Sequence, residues 1–217
     1  MTGSPHLVDD VMTHSVVAVG RAAPFKDIVR LMEQWQVSAL PVLEGEGRVV
    51  GVVSEADLLP KEEFRDSDPD RYTQQQRLSD LAKAGAMTAE ELMSAPAVTV
   101  RPGSTLAQAA RIMARFGVKR LPVVDGEGML EGVVSRADLL KVFLRPDNDI
   151  ADEVRRDVVD ILFPAPAEPV HVMVTDGVVT LTGKITDAAL IPVAVRLARA
   201  VEGVVDVDCH LSGTGAG

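Results

Sequence analysis

Between residues 25 and 36 the apolar side chains Ile28, Leu31, Met32 and Trp35 recur at helical spacing with charged residues between them, so this stretch predicts an amphipathic helix with those four as its buried stripe. Pro24 opens it, since proline is tolerated in a helix's first turn. Before it, Val16-Val17-Ala18-Val19 is a short β-prone run. After it, Leu40–Leu43 and Val49–Val53 read as strands joined by a Glu44-Gly45-Glu46-Gly47 turn, a hairpin. A further helix is expected from about Glu55. The pattern of one unit is strand, helix, strand, strand, helix.

That pattern occurs twice. Residues 40–59, LPVLEGEGRVVGVVSEADLL, return as residues 121–140, LPVVDGEGMLEGVVSRADLL, at a constant offset of 81. The register runs back without a gap, so that Val11-Met12-Thr13 faces Leu92-Met93-Ser94, and 20 of the 49 positions from 11 to 59 match their partners. Self-similarity of that length means two copies of one supersecondary unit. In the second copy Pro102-Gly103-Ser104 is the turn, and Leu106, Ala109, Ala110 and Met113 form the helix stripe. Leu121–Val124 and Leu130–Val134 are its strands, and Ala137–Leu144 is its closing helix. Two like units bury their apolar faces against each other and leave a cleft on a pseudo-twofold axis, where a ligand site is expected.

The stretches around the repeat follow other rules. Residues 1–10 read as a lead, 11–60 as the first copy, 61–90 as a charged connector and 91–145 as the second copy. The connector carries Pro69 and suggests a helix around Tyr72–Ala84; Thr88 with Glu91 forms a capping box ahead of a short helical lead. From Arg145-Pro146-Asp147-Asn148 onward the pattern changes. Ile150, Val154, Val158, Ile161 and Leu162 suit an amphipathic helix with Asp149 as a cap, and Pro164, Pro166 and Pro169 end it. Val170–Thr175 and Val178–Thr182 alternate around Asp176-Gly177, a strong hairpin signal. Ala188–Val201 is helical in composition, with Pro192 either in its first turn or kinking it, Gly203 closes it, and Val204–Val207 starts a last strand. Residues 150–213 are thus a separate α-β-β-α-β unit of the α+β class, beside an α/β repeat pair.

Composition narrows the function. A net charge of −10 and aromatics at 3% argue against nucleic acid and anionic membrane as main partners. The lone Cys209 leaves no internal disulfide and no thiolate zinc cluster. The opening MTGSPHLVDD lacks a basic region followed by an apolar run, and the default expectation is a cytoplasmic protein. His6, His14, His171 and His210 are scattered, and no nucleophile–base motif or P-loop is present, so catalysis is not expected. Gly45-x-Gly47-x-x-x-Gly51 and Gly126-x-Gly128-x-x-x-Gly132 lie within hairpins and read as turn glycines, not as a dinucleotide fingerprint.

Ser54-x-x-Asp57 and Ser135-x-x-Asp138 carry two readings. Each Ser ends a strand and each Asp falls in the first turn of the next helix, which is a capping arrangement: the Ser oxygen accepts a backbone N–H and the Asp faces the positive helix end. The same geometry at a cleft edge lets the Asp accept both hydroxyls of a ribose. Lys119-Arg120, before the second LPV strand, reads from the residues alone as a solvated surface pair, although the planar guanidinium fork can donate two hydrogen bonds at once. The first copy has Ser38-Ala39 there.

The doubled unit, by its Leu40-Pro41-Val42 and Leu121-Pro122-Val123 strand starts and its Gly-Val-Val-Ser-x-x-Asp-Leu ends, resembles the CBS domain, which occurs in tandem as a Bateman module. The tail, by VHVMVTDGVVTLTG and the later Gly-Val-Val-Asp-Val, resembles a BON domain. The resemblance implies two CBS β-α-β-β-α units about a pseudo-twofold axis plus a small BON domain. It implies a non-catalytic sensor whose CBS pair binds an adenine nucleotide (AMP, ADP or ATP) or S-adenosylmethionine, and which forms a homodimer. It places Ser54, Asp57, Ser135 and Asp138 on ribose and Lys119 and Arg120 on phosphate. The segments Met12–Val17 and Met93–Val98, with Thr13, Val17, Ser94 and Val98 among them, would border the base, and Val37 and Ser38 are further expected nucleotide contacts. The site of Arg120, Ser135 and Asp138 is expected to be the phosphate-bearing one, and the site of Ser54 and Asp57 to be weak, empty or adapted to another ligand. The BON unit would contact a protein; its ten acids against five bases disfavour phospholipid. The competing expectation is a constitutive scaffold with a ligand-free CBS pair.

Overall fold

The computed structural model describes residues 6–64, 78–166 and 168–213. The chain forms two compact units, Leu7–Asp138 and a second one that runs from Leu139 to the C-terminal strand and includes His6.

In the first unit, α1 (Val8–Val11) leads to the two-residue strand β1 (Val19–Gly20), shorter than the β-prone run before it. Helix α2 (Phe25–Trp35) has Pro24 at its cap. Strands β2 (Ala39–Glu44) and β3 (Arg48–Ser54) make the expected antiparallel hairpin, with Leu40 opposite Val53 and β1 parallel to β2 on its other edge. Helices α3 (Glu55–Leu58) and α4 (Pro60–Glu63) follow. The connector helix α5 is Leu78–Gly85; the earlier part of the helix expected around Tyr72–Ala84 lies outside the described residues. The second copy supplies α6 (Ala89–Leu92), α7 (Leu106–Phe116), β4 (Arg120–Val124), β5 (Leu130–Ser135) and α8 (Arg136–Leu140).

Each copy buries one helical stripe on its sheet, but not all of the expected one. Ile28 and Met32 are buried, whereas Trp35 is 56% exposed and is not core; Ala110 is likewise exposed while Leu106, Ala109 and Met113 are buried.

The short leading segments are exchanged between the copies. The Val8 N–H donates to Ser104 O at 2.9 Å, and Thr13 and Val133 exchange two backbone hydrogen bonds of 2.9 and 3.0 Å. The counterparts 81 positions away do the same: the Ala89 N–H donates to Ala23 O at 2.9 Å, and Ser94 and Val52 exchange bonds of 2.9 and 3.2 Å. Ala89 and Leu92 are accordingly part of the first copy's core, with Ile28, Leu40 and Val53. The hairpin turns meet on the axis, where the Val49 N–H donates to Gly128 O and the Leu130 N–H to Gly47 O, both at 3.0 Å. These matched pairs are the pseudo-twofold axis itself.

Two glycines read as turn residues lie inside strands and answer to this exchange instead. A Cβ on Gly132 would stand 2.6 Å from Met12 Sδ and 3.0 Å from Thr13 O. A Cβ on Gly51 would collide with Met93 in the same way. Each methionine thus lies flat on the other copy's strand because that strand has no side chain there. The capping box at α6 forms as expected: the Glu91 carboxylate accepts the N–H groups of Met87 at 2.7 Å and Thr88 at 3.1 Å, which hold its pKa below the usual carboxylate range.

The second unit is an α-β-β-α-β fold. Helix α9 (Asp147–Val154) starts at Pro146, so Asp149 sits in its first turn and not at the cap. A π turn (Arg155–Val159) and a last turn (Asp160–Leu162) continue it. The π turn adds one residue to the helical period. Val158 and Val159 are therefore both buried, Phe163 takes the next core place, and Ile161, expected in the stripe, is 63% exposed. Strands β6 (His171–Thr175) and β7 (Val178–Ile185) form the hairpin around Asp176 and Gly177, whose φ values of 51° and 74° suit a two-residue type I′ turn. The Asp147 carboxylate accepts both turn N–H groups at 2.9 Å, which ties the hairpin to the start of α9. Helix α10 (Ile191–Ala200) holds Pro192 in its first turn. Strand β8 (Asp206–Gly213) begins two residues later than expected and runs parallel to β7. The core joins Ile150, Val154, Leu181, Ala194 and Leu211.

If the exchanged methionines set the packing of the copies, Gly132→Ala costs about 1–3 kcal/mol of stability by overpacking. Gly126→Ala, at a glycine with open space and no left-handed φ, stays within about 0.5 kcal/mol. Urea denaturation of the two variants checks this, and equal midpoints would sink it.

Candidate ligand-binding site

The strand-to-helix junction comes first. Ser54 ends β3 and caps α3, and its backbone N–H and its hydroxyl both donate to Asp57 Oδ2 at 2.7 Å. The Ser oxygen therefore acts toward the carboxylate, and the Asp accepts the backbone N–H, the reciprocal half of a capping box. Oδ1 lies 3.4 Å from the Ser94 hydroxyl and also takes the ammonium of Lys83. Asp57 is only 8% exposed, an unusual depth for a carboxylate, and it is sustained by these partners.

The second junction repeats the first. The Ser135 N–H and hydroxyl donate to Asp138 Oδ2 at 2.9 and 2.7 Å, and the Asp138 N–H points back to Ser135 Oγ at 3.4 Å. The frame beneath is also shared: the first N–H of each helix, Glu55 and Arg136, donates to the backbone carbonyl of Ser38 and of Lys119, both at 3.1 Å.

Around Asp57 lies a cavity of about 270 Å³ whose walls come from both copies. Ser38, Ser54 and Asp57 belong to the first copy. Ser94, Pro96, Ala97 and Val98 come from the exchanged lead of the second, and Lys119 and Arg120 from the start of its β4. An adjoining cavity of about 350 Å³ shares Ser38, Glu55 and Arg120 and adds Val37. Eight of the residues singled out from sequence are thus gathered here: Val37, Ser38, Ser54, Asp57, Ser94, Val98, Lys119 and Arg120. The other four stand elsewhere. Thr13 pairs with Val133 at the backbone, Val17 packs against the first core, and Ser135 with Asp138 forms the second junction, apart from these two cavities.

That distribution corrects the partnering expected from sequence. Arg120 pairs with Ser135 in the sheet, yet it and Lys119 line the cavity of Asp57. The basic pair and the Ser54–Asp57 junction therefore face one space. The sequence carries no signal for this, because the basic pair is spelled within the second copy, next to Ser135 and Asp138. Nor does it mark Lys83, which lies in the connector outside the repeat.

Chemically the cavity offers a carboxylate at a helix start for hydroxyl groups, an apolar wall of Pro96, Ala97 and Val98, and two cations for an anion. Among the described residues no cluster of His, Cys, Asp and Glu could hold a metal ion, and no helix is long and apolar enough to cross a membrane.

Comparison with known proteins agrees with this architecture. The CBS domain model matches residues 8–61 and 89–145. The chain belongs to the CBS domain family. A BON domain follows the CBS pair, matched over residues 146–214. Protein MJ1426 of Methanocaldococcus jannaschii is 28% identical over 160 residues, covering 66% of this chain and 95% of that protein. The crystal structure of CBSX2 in complex with AMP is 30% identical with a TM-score of 0.56, covering 64% of this chain and 97% of that one. The chain spans 64% of the full chloroplastic CBSX2 sequence of Arabidopsis thaliana. The CBS pair of MJ0100, solved with 5′-methylthioadenosine and S-adenosyl-L-methionine, has a TM-score of 0.52 at 17% identity and shares the fold.

Asp57 also has a structural task in this CBS pair. Asp57→Ala removes the acceptor of the Ser54 N–H and leaves Lys83 unpaired, so it lowers stability by about 1–2 kcal/mol. Chemical denaturation without ligand measures it, and an unchanged midpoint would show that the carboxylate is not part of the cap.

Proposed function

We propose that this protein is a non-catalytic sensor. Its CBS pair binds an adenine nucleotide or adenosyl ligand in the Asp57 cavity, and its BON domain carries the response to a protein partner. One observation carries the reading. A nearly buried carboxylate, an apolar wall and a Lys-Arg pair line one cavity of nucleotide dimensions. Asp57 would take the ribose hydroxyls, Pro96 to Val98 the base, and Lys119 with Arg120 the phosphate. The AMP complex of CBSX2, at 30% identity, supports the ligand class. The acidic balance of residues 150–213 favours a protein target over an anionic lipid surface.

The test is thermal unfolding against AMP, ADP, ATP, adenosine and S-adenosylmethionine. A ligand that binds only the folded state adds roughly 2.7 kcal/mol at a hundredfold excess over its Kd. Arg120→Ala should weaken AMP about tenfold or more, the worth of a charge-assisted contact, and leave adenosine nearly unchanged. A flat panel with well-folded protein sinks the sensor and leaves the constitutive scaffold.

We also infer a homodimer through the helical faces of the CBS pair. Trp35 and Phe116 occupy equivalent places 81 positions apart at the ends of α2 and α7, and are 56% and 54% exposed. Two large aromatics related by the pseudo-twofold axis offer matched anchors to a second copy. Trp35→Ala combined with Phe116→Ala should shift the wild-type dimer to monomer in light scattering; a double variant that stays dimeric would falsify the assignment of these anchors.

A further inference from the structure

The ligand reading leaves Lys83 without a role, although it makes the most intimate charged contact in the site. Helix α5 reaches Asp57 from the connector, and the Lys83 ammonium rests on Oδ1. The pair is largely withdrawn from water, with side-chain exposures of 20% for Lys83 and 10% for Asp57. The two carboxylate oxygens differ. Oδ2 is committed to the cap through the Ser54 N–H and hydroxyl, both at 2.7 Å. Among the described residues Oδ1 has only the distant Ser94 hydroxyl, at 3.4 Å, besides the lysine. Oδ1 is therefore the oxygen that an incoming hydroxyl must take, and Lys83 holds it.

The helix that brings Lys83 is built to let go. None of the side chains of α5 is buried, so little apolar burial holds it in place. Its last turn is tied by charge, through Lys83 and through Lys61, whose ammonium donates to Ala84 O at 2.9 Å. Ala86, just beyond the helix, is 4% exposed and belongs to the first core, which keeps the end of the strap anchored when the rest moves.

We propose that Lys83 is a built-in competitor for the ligand: its ammonium occupies the ribose position on Asp57 in the empty protein, and ligand binding displaces it and releases α5. This rests on the adenosyl reading of the cavity and adds its regulation. Without ligand the lysine offsets the charge of a carboxylate that lies largely out of water. With ligand, the hydroxyl hydrogen bonds replace the ion pair, and α5 becomes the segment whose state reports occupancy.

The experiment is calorimetric titration of AMP into the full chain as wild type, Lys83→Met and Lys83→Arg, with hydrogen exchange over residues 78–85. Lys83→Met should bind AMP roughly tenfold more tightly, the size of one lost competing ion pair, and Lys83→Arg should bind like wild type. AMP should speed exchange over residues 78–85 in the wild type. In Lys83→Met that exchange should already be fast without AMP, while its unfolding transition remains cooperative. Unchanged affinity overturns the proposal and leaves the ligand reading intact. Weaker affinity overturns it too, and makes Lys83 a phosphate contact. Exchange indifferent to AMP overturns the release. If neither AMP nor S-adenosylmethionine binds any of the three proteins, the ligand reading falls and the competitor with it.

Discussion

Everything in the CBS pair depends on the exchange of leading segments between its copies. A single copy offers a small sheet and one helix, and its remaining edge and face must be closed by something else. The structure closes them with the partner's lead. Thr13 hydrogen-bonds Val133 while Ser94 hydrogen-bonds Val52, and Met12 lies on Gly132 while Met93 lies on Gly51. Neither copy has a complete core alone, since Ala89 and Leu92 of the second copy sit among Ile28, Leu40 and Val53 of the first. Two units joined in this way are one cooperative body, which is what a sensor needs if occupancy at one junction is to be felt across both.

The exchange also explains why the candidate site is composite. The carboxylate is a local product of its own copy, fixed by the Ser54 cap and by the first turn of α3. The wall beside it is the partner's lead, which reaches that place because Ser94 is bonded to Val52 in the neighbouring strand. The same backbone frame is built twice, with helix N–H groups on Ser38 O and Lys119 O at equal distances of 3.1 Å, but the side chains on it differ. Symmetry of the backbone supplies two junctions, and asymmetry of the sequence makes them chemically unequal.

Local chemistry was legible in the sequence wherever one short stretch decides the outcome. The two LPV hairpins, the Asp176-Gly177 turn, the Thr88–Glu91 box and Pro192 in a first turn were all of that kind, and each forms. The repeat itself gave the pseudo-twofold axis. What could not be read is what depends on which copy a segment packs against. Gly51 and Gly132 looked like turn residues because the methionines that require them are some forty or more positions away or on the other side of the axis. The π turn in the BON helix was hidden for a different reason: periodicity assumes a constant 3.6, and a single added residue turns Ile161 outward while Val159 and Phe163 take the core. Eight of the twelve expected contacts fall around the two adjoining cavities, yet Lys119 and Arg120, expected with Asp138, line the cavity of Asp57.

Asp57 carries two demands that pull in opposite directions. As a cap it must be rigid and fully bonded; as the proposed ligand contact it would have to keep an oxygen exchangeable. The geometry resolves the conflict by dividing the carboxylate, with Oδ2 given to Ser54, three residues back, and Oδ1 to Lys83 from the connector. Contacts to Oδ2 are three residues apart in sequence and persist as long as α3 exists. The contact to Oδ1 spans 26 residues and depends on a helix with no buried side chain. On the proposed reading a ligand at Oδ1 would alter the long-range contact and leave the local one intact, so that binding would be felt in α5 before it is felt in the fold. For that reason a carboxylate committed to folding can also serve a switch.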